Sequence, residues 1–398
     1  MSGLTQRSRL PEPSALELAH SERLAHAIRD EIAVRGPMEF ARFMELALYA
    51  PGLGYYSAGR TKFGADGDFV TAPELGDVFA RCLARACAPV IGEIGAHATV
   101  FELGGGSGAL CVDLMLALQA QDRVPARYLL LEPSATLRQE QERRVVSMLP
   151  PALAKRVEWL DRPPEDSWRG IAVANEVIDA LPTFRFVKRD GEVWAEHVIA
   201  DARGGFAVID KPADAWLSSA VAHIERSIGG ALPDDYRSEV LPQLPAWIDA
   251  VIGTLRQGLA VFVDYGYPRR AYYAPARRDG TLICHYRHHA HADPLHWVGL
   301  QDLTAFVDFT ALAEACSAIG LGLASYSTQA QFLLACGLEQ VLGDAHSMGA
   351  EAQYVFAQQV KRLMLPGEMG ERFAVATFAR EIDCDALPFA GIDRSASL

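Results

Sequence analysis

One stretch constrains this chain more than any other: Val100-Phe101-Glu102-Leu103-Gly104-Gly105-Gly106-Ser107-Gly108. An apolar run carrying a single acid turns through four glycines in five residues. An apolar helix start follows, Ala109-Leu110-Cys111-Val112-Asp113-Leu114-Met115. This order spells strand, tight turn, helix. Glycine lets the backbone take positive φ and lets a ligand approach the main chain. The new helix presents unpaired N–H groups at its start. The segment therefore predicts an α/β sheet with a nucleotide-type cofactor at its edge.

The neighbouring sequence repeats the alternation. Strands are expected at Thr99–Leu103, Arg127–Leu131, Val157–Leu160 and Ile171–Ala174, with helices at Ala109–Gln119 and from Ala135 to Leu149. Such alternation implies a parallel sheet covered on both faces. At Thr183 the pattern changes to a β-meander, Phe184–Lys188, Val193–Ile199 and Phe206–Ile209, turning at Asp190-Gly191 and Gly204-Gly205. Helices are expected over Ser14–Val34 and Glu39–Ala50, stopped by Pro51-Gly52-Leu53-Gly54. Residues 59–73 read as a loop. An apolar strand, Leu259–Val263, ends at Asp264-Tyr265-Gly266, and the last strand is Phe373–Arg380. The chain thus divides into an N-terminal helical extension with a loop (1–74), a first part of the α/β core (75–182), an inserted meander and helix (183–243), and the remainder of the core (244–398).

The net charge of −13 argues against nucleic acid, which needs a basic footprint. No run of about 18 apolar residues suggests membrane insertion. Seven cysteines without a C-x-x-C pair fit reduced thiols, and the expected location is cytoplasmic. Nothing in the sequence sets an oligomeric state.

The glycine turn admits two cofactors. Gly104-x-Gly106-x-x-Ala109 satisfies the dinucleotide fingerprint with Ala in its last position. The same turn, closed by Gly108, also suits S-adenosyl-L-methionine (SAM). Glu102 at the strand end would attract a sulfonium and an ammonium and repel a pyrophosphate. Glu132 ends the next strand, where an acid can accept hydrogen bonds from ribose hydroxyls; either cofactor has a ribose.

Asn175-Glu176-Val177-Ile178-Asp179-Ala180-Leu181-Pro182 follows the fourth strand. Strand C-terminal ends line the ligand crevice of open α/β sheets. Asn175, Glu176 and Asp179 are therefore the catalytic candidates. Paired carboxylates can orient a guanidinium and take its proton as a C–N bond forms. The loop Gly67-Asp68-Phe69-Val70-Thr71-Ala72-Pro73-Glu74 could close over substrate or simply connect domains. His285, His288, His289, His291 and His296 share a segment with Arg277, Arg278 and Arg287. Those cations disfavour a metal, and a basic aromatic loop against a protein partner or over the active site is expected instead.

Several segments together carry a family resemblance: Glu45 to Tyr56, Gly67 to Glu74, Glu102 to Gly108, Asn175 to Pro182, Asp264-Tyr265-Gly266, Gly280-Thr281-Leu282 and Gln301 to Phe309. In that order they resemble the MidA-like family of SAM-dependent methyltransferases. The resemblance implies a class I, Rossmann-like methyltransferase fold and protein-arginine methylation. Its mitochondrial members assist assembly of respiratory complex I, whose subunit is the substrate there. Carried onto this chain, it places SAM on Glu102, Gly104, Gly106, Gly108, Glu132 and Asn175. Gly67, Asp68, Phe69, Thr71, Glu74, Asp264, Gln301 and Asp302 fall on the substrate or lid side. Two positions depart from the family pattern: Gly105 and Ser107 stand where Pro and Arg are common, and Phe306 where bacterial relatives often carry His.

Overall fold

Strands buried on both faces read as unbroken apolar runs, and here such runs pair into one central sheet. A computed structural model describes residues 10–58, 71–344, 348–391 and 395–398. Its core strands are β1 (Thr99–Leu103), β2 (Arg127–Leu131), β3 (Val157–Leu160), β4 (Trp168–Asn175), β5 (Leu255–Tyr267), β6 (Gly322–Thr328) and β7 (Phe373–Arg380). They lie in the order β6-β7-β5-β4-β1-β2-β3. The pairs from β3 across to β5 are parallel, and β7 runs antiparallel to both β5 and β6. Val307–Asp308 adds a short parallel pair at the end of β5.

Side chains alternate across this sheet. Val100 joins the core formed with helices Val78–Ile94 and Ala109–Gln119, while Phe101 and Leu103 join the core formed with Leu244–Ile252 and Phe309–Ala318. The strand order reverses at β1, which has β2 on one side and β4 on the other. Connections leave that point in opposite directions, and a crevice opens above the strand ends.

The meander forms as expected, at Phe184–Arg189, Glu192–Ala200 and Phe206–Pro212. It gains partners from far along the chain: Arg237–Val240 pairs with its first strand and Met38–Glu39 with its second. The N-terminal helices Ala15–Arg35 and Phe40–Tyr49 pack there, and Leu24, Ile28, Phe43 and Met44 share a core with Val198, Cys284 and Leu303. Two sequence expectations change. Strand β5 is thirteen residues long, not five, because it pairs on both edges. The stretch after it, read as a loop, holds a small antiparallel sheet of Ile283–Tyr286, His289–His291 and Asp302–Thr304. Its strands are too short to show a period.

Candidate active site

A cavity of about 680 Å³ lies above the C-terminal ends of β1, β2 and β4. Its floor is the glycine turn. Gly104, Gly106 and Gly108 have φ of 67°, 52° and 84°, conformations that L side chains rarely adopt. The Gly104 N–H donates to the Leu131 carbonyl at 3.1 Å, tying the turn to β2. Gly108, expected to touch the cofactor, does not line the cavity. It is the left-handed residue that starts the next helix and packs against Gln141.

Glu102 is buried beneath this turn and accepts a 2.6 Å hydrogen bond from the Tyr128 hydroxyl. Burial raises its pKa to about 7, the Tyr128 bond opposes that rise, and Glu132 adds to it. Glu132 accepts from the Ser134 N–H at 2.9 Å and from the Gln141 amide at 3.1 Å. Gln141 also donates to the Gly106 carbonyl at 2.9 Å and accepts from the Trp159 indole at 3.0 Å. One buried amide thus spaces the glycine turn and the β2 acid. No sequence motif marked Gln141, because its partners are distant in the chain.

The opposite wall is built on the segment after β4. Asn175, Glu176, Asp179 and Asp302 all line the cavity. Glu176 holds φ 54°, a strained conformation for a residue with a side chain. Its N–H donates to the Val263 carbonyl at 2.8 Å. Burial, then the charge of Asp179, raises its pKa to about 8, while bonds from the Asn175 amide (3.1 Å) and the Ala72 N–H oppose the rise. Asp179 is pushed up by burial and by Asp264 and Asp302. The Oδ1 atoms of Asn175 and Asp179 are buried with no hydrogen-bond partner among the described residues. Such orphaned acceptors at a cavity wall suit a ligand that donates hydrogen bonds.

Other expected site residues fall differently. Thr71 and Glu74 line the cavity, and Glu74 accepts from Ser107 of the glycine turn and lies 3.9 Å from Arg144. Arg144 thus brings a cation to the turn by tertiary packing. Asp264 and Gln301 do not line the cavity. Asp264 faces backbone N–H groups of the 176–179 segment. The Gln301 amide donates to the Asp293 and Pro294 carbonyls, both at 3.1 Å. Gly67, Asp68 and Phe69 lie outside the described residues.

Several lining residues were missed. Tyr49 and Tyr56 stack at 5.5 Å. Their hydroxyls donate to the Ala180 carbonyl and to Asp302, both at 2.9 Å. The tyrosines flanking the turn in Tyr49-Ala50-Pro51-Gly52-Leu53-Gly54-Tyr55-Tyr56 were the available signal. Among the histidines, His285 lines the cavity. No metal-holding cluster of His, Cys, Asp or Glu occurs among the described residues.

Among the described residues no lining side chain is Lys or Arg, while Glu74, Glu102, Glu132, Glu176, Asp179 and Asp302 are all present. A pyrophosphate would be repelled there, whereas a sulfonium and an ammonium would be attracted. Sheet order, turn and charge together define a methyltransferase that uses SAM. Residues 82–327 match the family described as "Putative S-adenosyl-L-methionine-dependent methyltransferase", and the chain belongs to that family.

A Burkholderia thailandensis crystal structure, a "likely methyl transferase" bound to S-adenosyl-homocysteine, is 40% identical. It superposes with TM-score 0.90 over 98% of this chain and 100% of that one. A mitochondrial NDUFAF7 homologue of Caenorhabditis elegans, named a protein arginine methyltransferase, is 27% identical over 89% of this chain and 86% of its own length. The zebrafish protein of that name is 28% identical over 87% and 84%. These relatives are named as mitochondrial, which overturns the cytoplasmic location expected above. No helix among the described residues is long and apolar enough to cross a membrane.

Proposed function

We propose that the chain methylates the guanidinium of an arginine in a protein substrate. The observation that carries this reading is the wall of acids, half-buried Glu176 with buried Asp179 and Asp302, facing the glycine turn with no lining cation among the described residues. A cationic acceptor offsets their cost of burial, and a neutral hydroxyl or thiol would not. The names of the relatives agree. A subunit of respiratory complex I is the acceptor to which the family resemblance points.

SAM supplies a methyl group already activated on a sulfonium. Glu132 accepts the ribose hydroxyls, Glu102 faces the cationic end of the ligand, and Gly104 and Gly106 let it lie against the main chain. Glu176 and Asp179 orient the guanidinium so that one nitrogen points at the methyl carbon. As the C–N bond forms and the C–S bond breaks, the nitrogen loses one proton. Glu176 takes it; a pKa of about 8 is close to neutral operating pH, where general bases work best. Tyr49 and Tyr56 close the side of the cavity and keep water out.

The test is incubation of a cell lysate with the protein and isotopically labelled SAM, followed by mass spectrometry of labelled proteins. Labelled methylarginine supports the reading. Label confined to lysine, carboxyl groups or small molecules overturns it. Partner capture without any transfer would favour a non-catalytic assembly factor.

A further inference from the structure

Asp264 sits near the C-terminal end of β5, 1% exposed and outside the cavity lining. All its observed hydrogen bonds come from the main chain. Oδ2 accepts the N–H groups of Ile178 at 3.0 Å and Asp179 at 3.2 Å, and Oδ1 accepts that of Tyr265 at 2.8 Å. The segment it holds is the one that carries Glu176 and Asp179. One residue earlier, the Glu176 N–H is bonded to Val263. The strained Glu176 backbone, φ 54°, is therefore pinned to β5 on both sides. A residue keeps such a conformation only where its surroundings over-determine it.

The carboxylate is suited to this task in a way its amide is not. Three N–H groups converge on its two oxygens, so both must be acceptors. Asparagine has one acceptor oxygen, and its NH2 would face at least one of those donors. Asp179, by contrast, leaves Oδ1 buried without a partner at the cavity wall. The two neighbouring acids divide the work: one is consumed by the scaffold and the other faces the ligand.

We infer that Asp264 is a positioning residue for methyl transfer, setting Glu176 and Asp179 by holding the Ile178 and Asp179 N–H groups against β5. It touches neither cofactor nor acceptor. The inference rests on the proposed catalytic roles of Glu176 and Asp179, but its principal test needs no acceptor.

Asp264→Asn is compared with the parent by hydrogen–deuterium exchange, with and without S-adenosyl-homocysteine, and by titration calorimetry with that ligand. The expected result is exchange about tenfold faster or more at residues 176–179, with the β1 and β2 amides unchanged. Affinity for S-adenosyl-homocysteine should stay within about twofold, because Glu102, Glu132 and the turn stand on other strands. An amide at this position turns one acceptor into a donor facing the same N–H groups, so kcat for transfer from labelled SAM to lysate protein should fall roughly 10- to 100-fold, with KM for SAM unchanged. A merely structural residue would instead raise exchange everywhere and lower affinity and kcat together. Unchanged exchange at 176–179, or that global loss, overturns the inference. If Asp264→Asn does not fold, Asp264→Glu, which keeps both acceptor oxygens but extends the carboxyl group, is read in the same assays by the same criteria. Failure of the arginine reading would show separately, as localised exchange with label on another acceptor.

Discussion

The Tyr128 hydroxyl donates to Glu102 at 2.6 Å, from one core strand to the next beneath the glycine turn. The bond favours the carboxylate, and burial favours the acid. With its pKa near 7, Glu102 gains charge as pH rises through neutrality, and a cationic ligand prefers the charged form. SAM affinity should therefore rise between pH 6 and 8. Tyr128→Phe should weaken it about tenfold at pH 7, since a hydrogen bond to a charged group is worth about 1.5–3 kcal/mol. Calorimetry across that range measures both effects.

Binding of a cation should also expel protons. Glu176 and Glu102 have raised pKa values, about 8 and about 7, and positive charge at the site pulls them down. Titrations of SAM in two buffers of different ionisation enthalpy, at pH 7.5, should show net proton release to buffer. Net uptake would contradict the charge assignment.

The same shift has a sign for stability. The folded pKa of Glu176 lies above its unfolded value of about 4.3. Its stabilising contribution is complete below the unfolded pKa and is lost as pH rises through about 8. Glu176→Gln should therefore flatten the fall in stability between pH 5 and 9 and raise the melting temperature at pH 8. Denaturation followed across that range checks it.

Glu176→Gln should lower methyl transfer by about 10²- to 10⁴-fold, the usual share of a general base, and Asp179→Asn by about 10²-fold through lost orientation of the acceptor. S-adenosyl-homocysteine binding should remain within a few-fold, since the turn and Glu132 are untouched. Rate and affinity falling in parallel would place these acids in cofactor binding instead.

Gln141→Leu removes a side chain that does not line the cavity. It leaves the Gly106 carbonyl, one Glu132 oxygen and the Trp159 indole without that partner. Loss of a partner at a buried polar group costs about 1–3 kcal/mol, and the Glu132 contact is the buried one of the three. SAM affinity should drop tenfold or more, and the melting temperature should fall with it.

Much of the core could be read along the chain because its signals are local. Thr99–Leu103 is an apolar run ended by glycines, and its strand in the structure has the same bounds. Sheet position for Glu102, Glu132 and Glu176 followed from each acid standing at a strand end. The small sheet at 283–304 was not legible, because pairing between His285 and Asp302 supplies what its three short strands lack. The same holds for His285 at the cavity and for Tyr56 against Asp302. Their partners lie far along the chain or in strands with no period of their own.

Local sequence by itself determined the parallel core, the glycine turn and the identity of the acids at the strand ends. Hydrophobic period and backbone permissiveness act over a few residues. Only the tertiary structure decided what each acid does. Burial depth and backbone N–H groups are set by neighbours across strands. They leave Asp179 open to a ligand, commit Asp264 to the scaffold, and hold Glu176 in a conformation its own residue type disfavours.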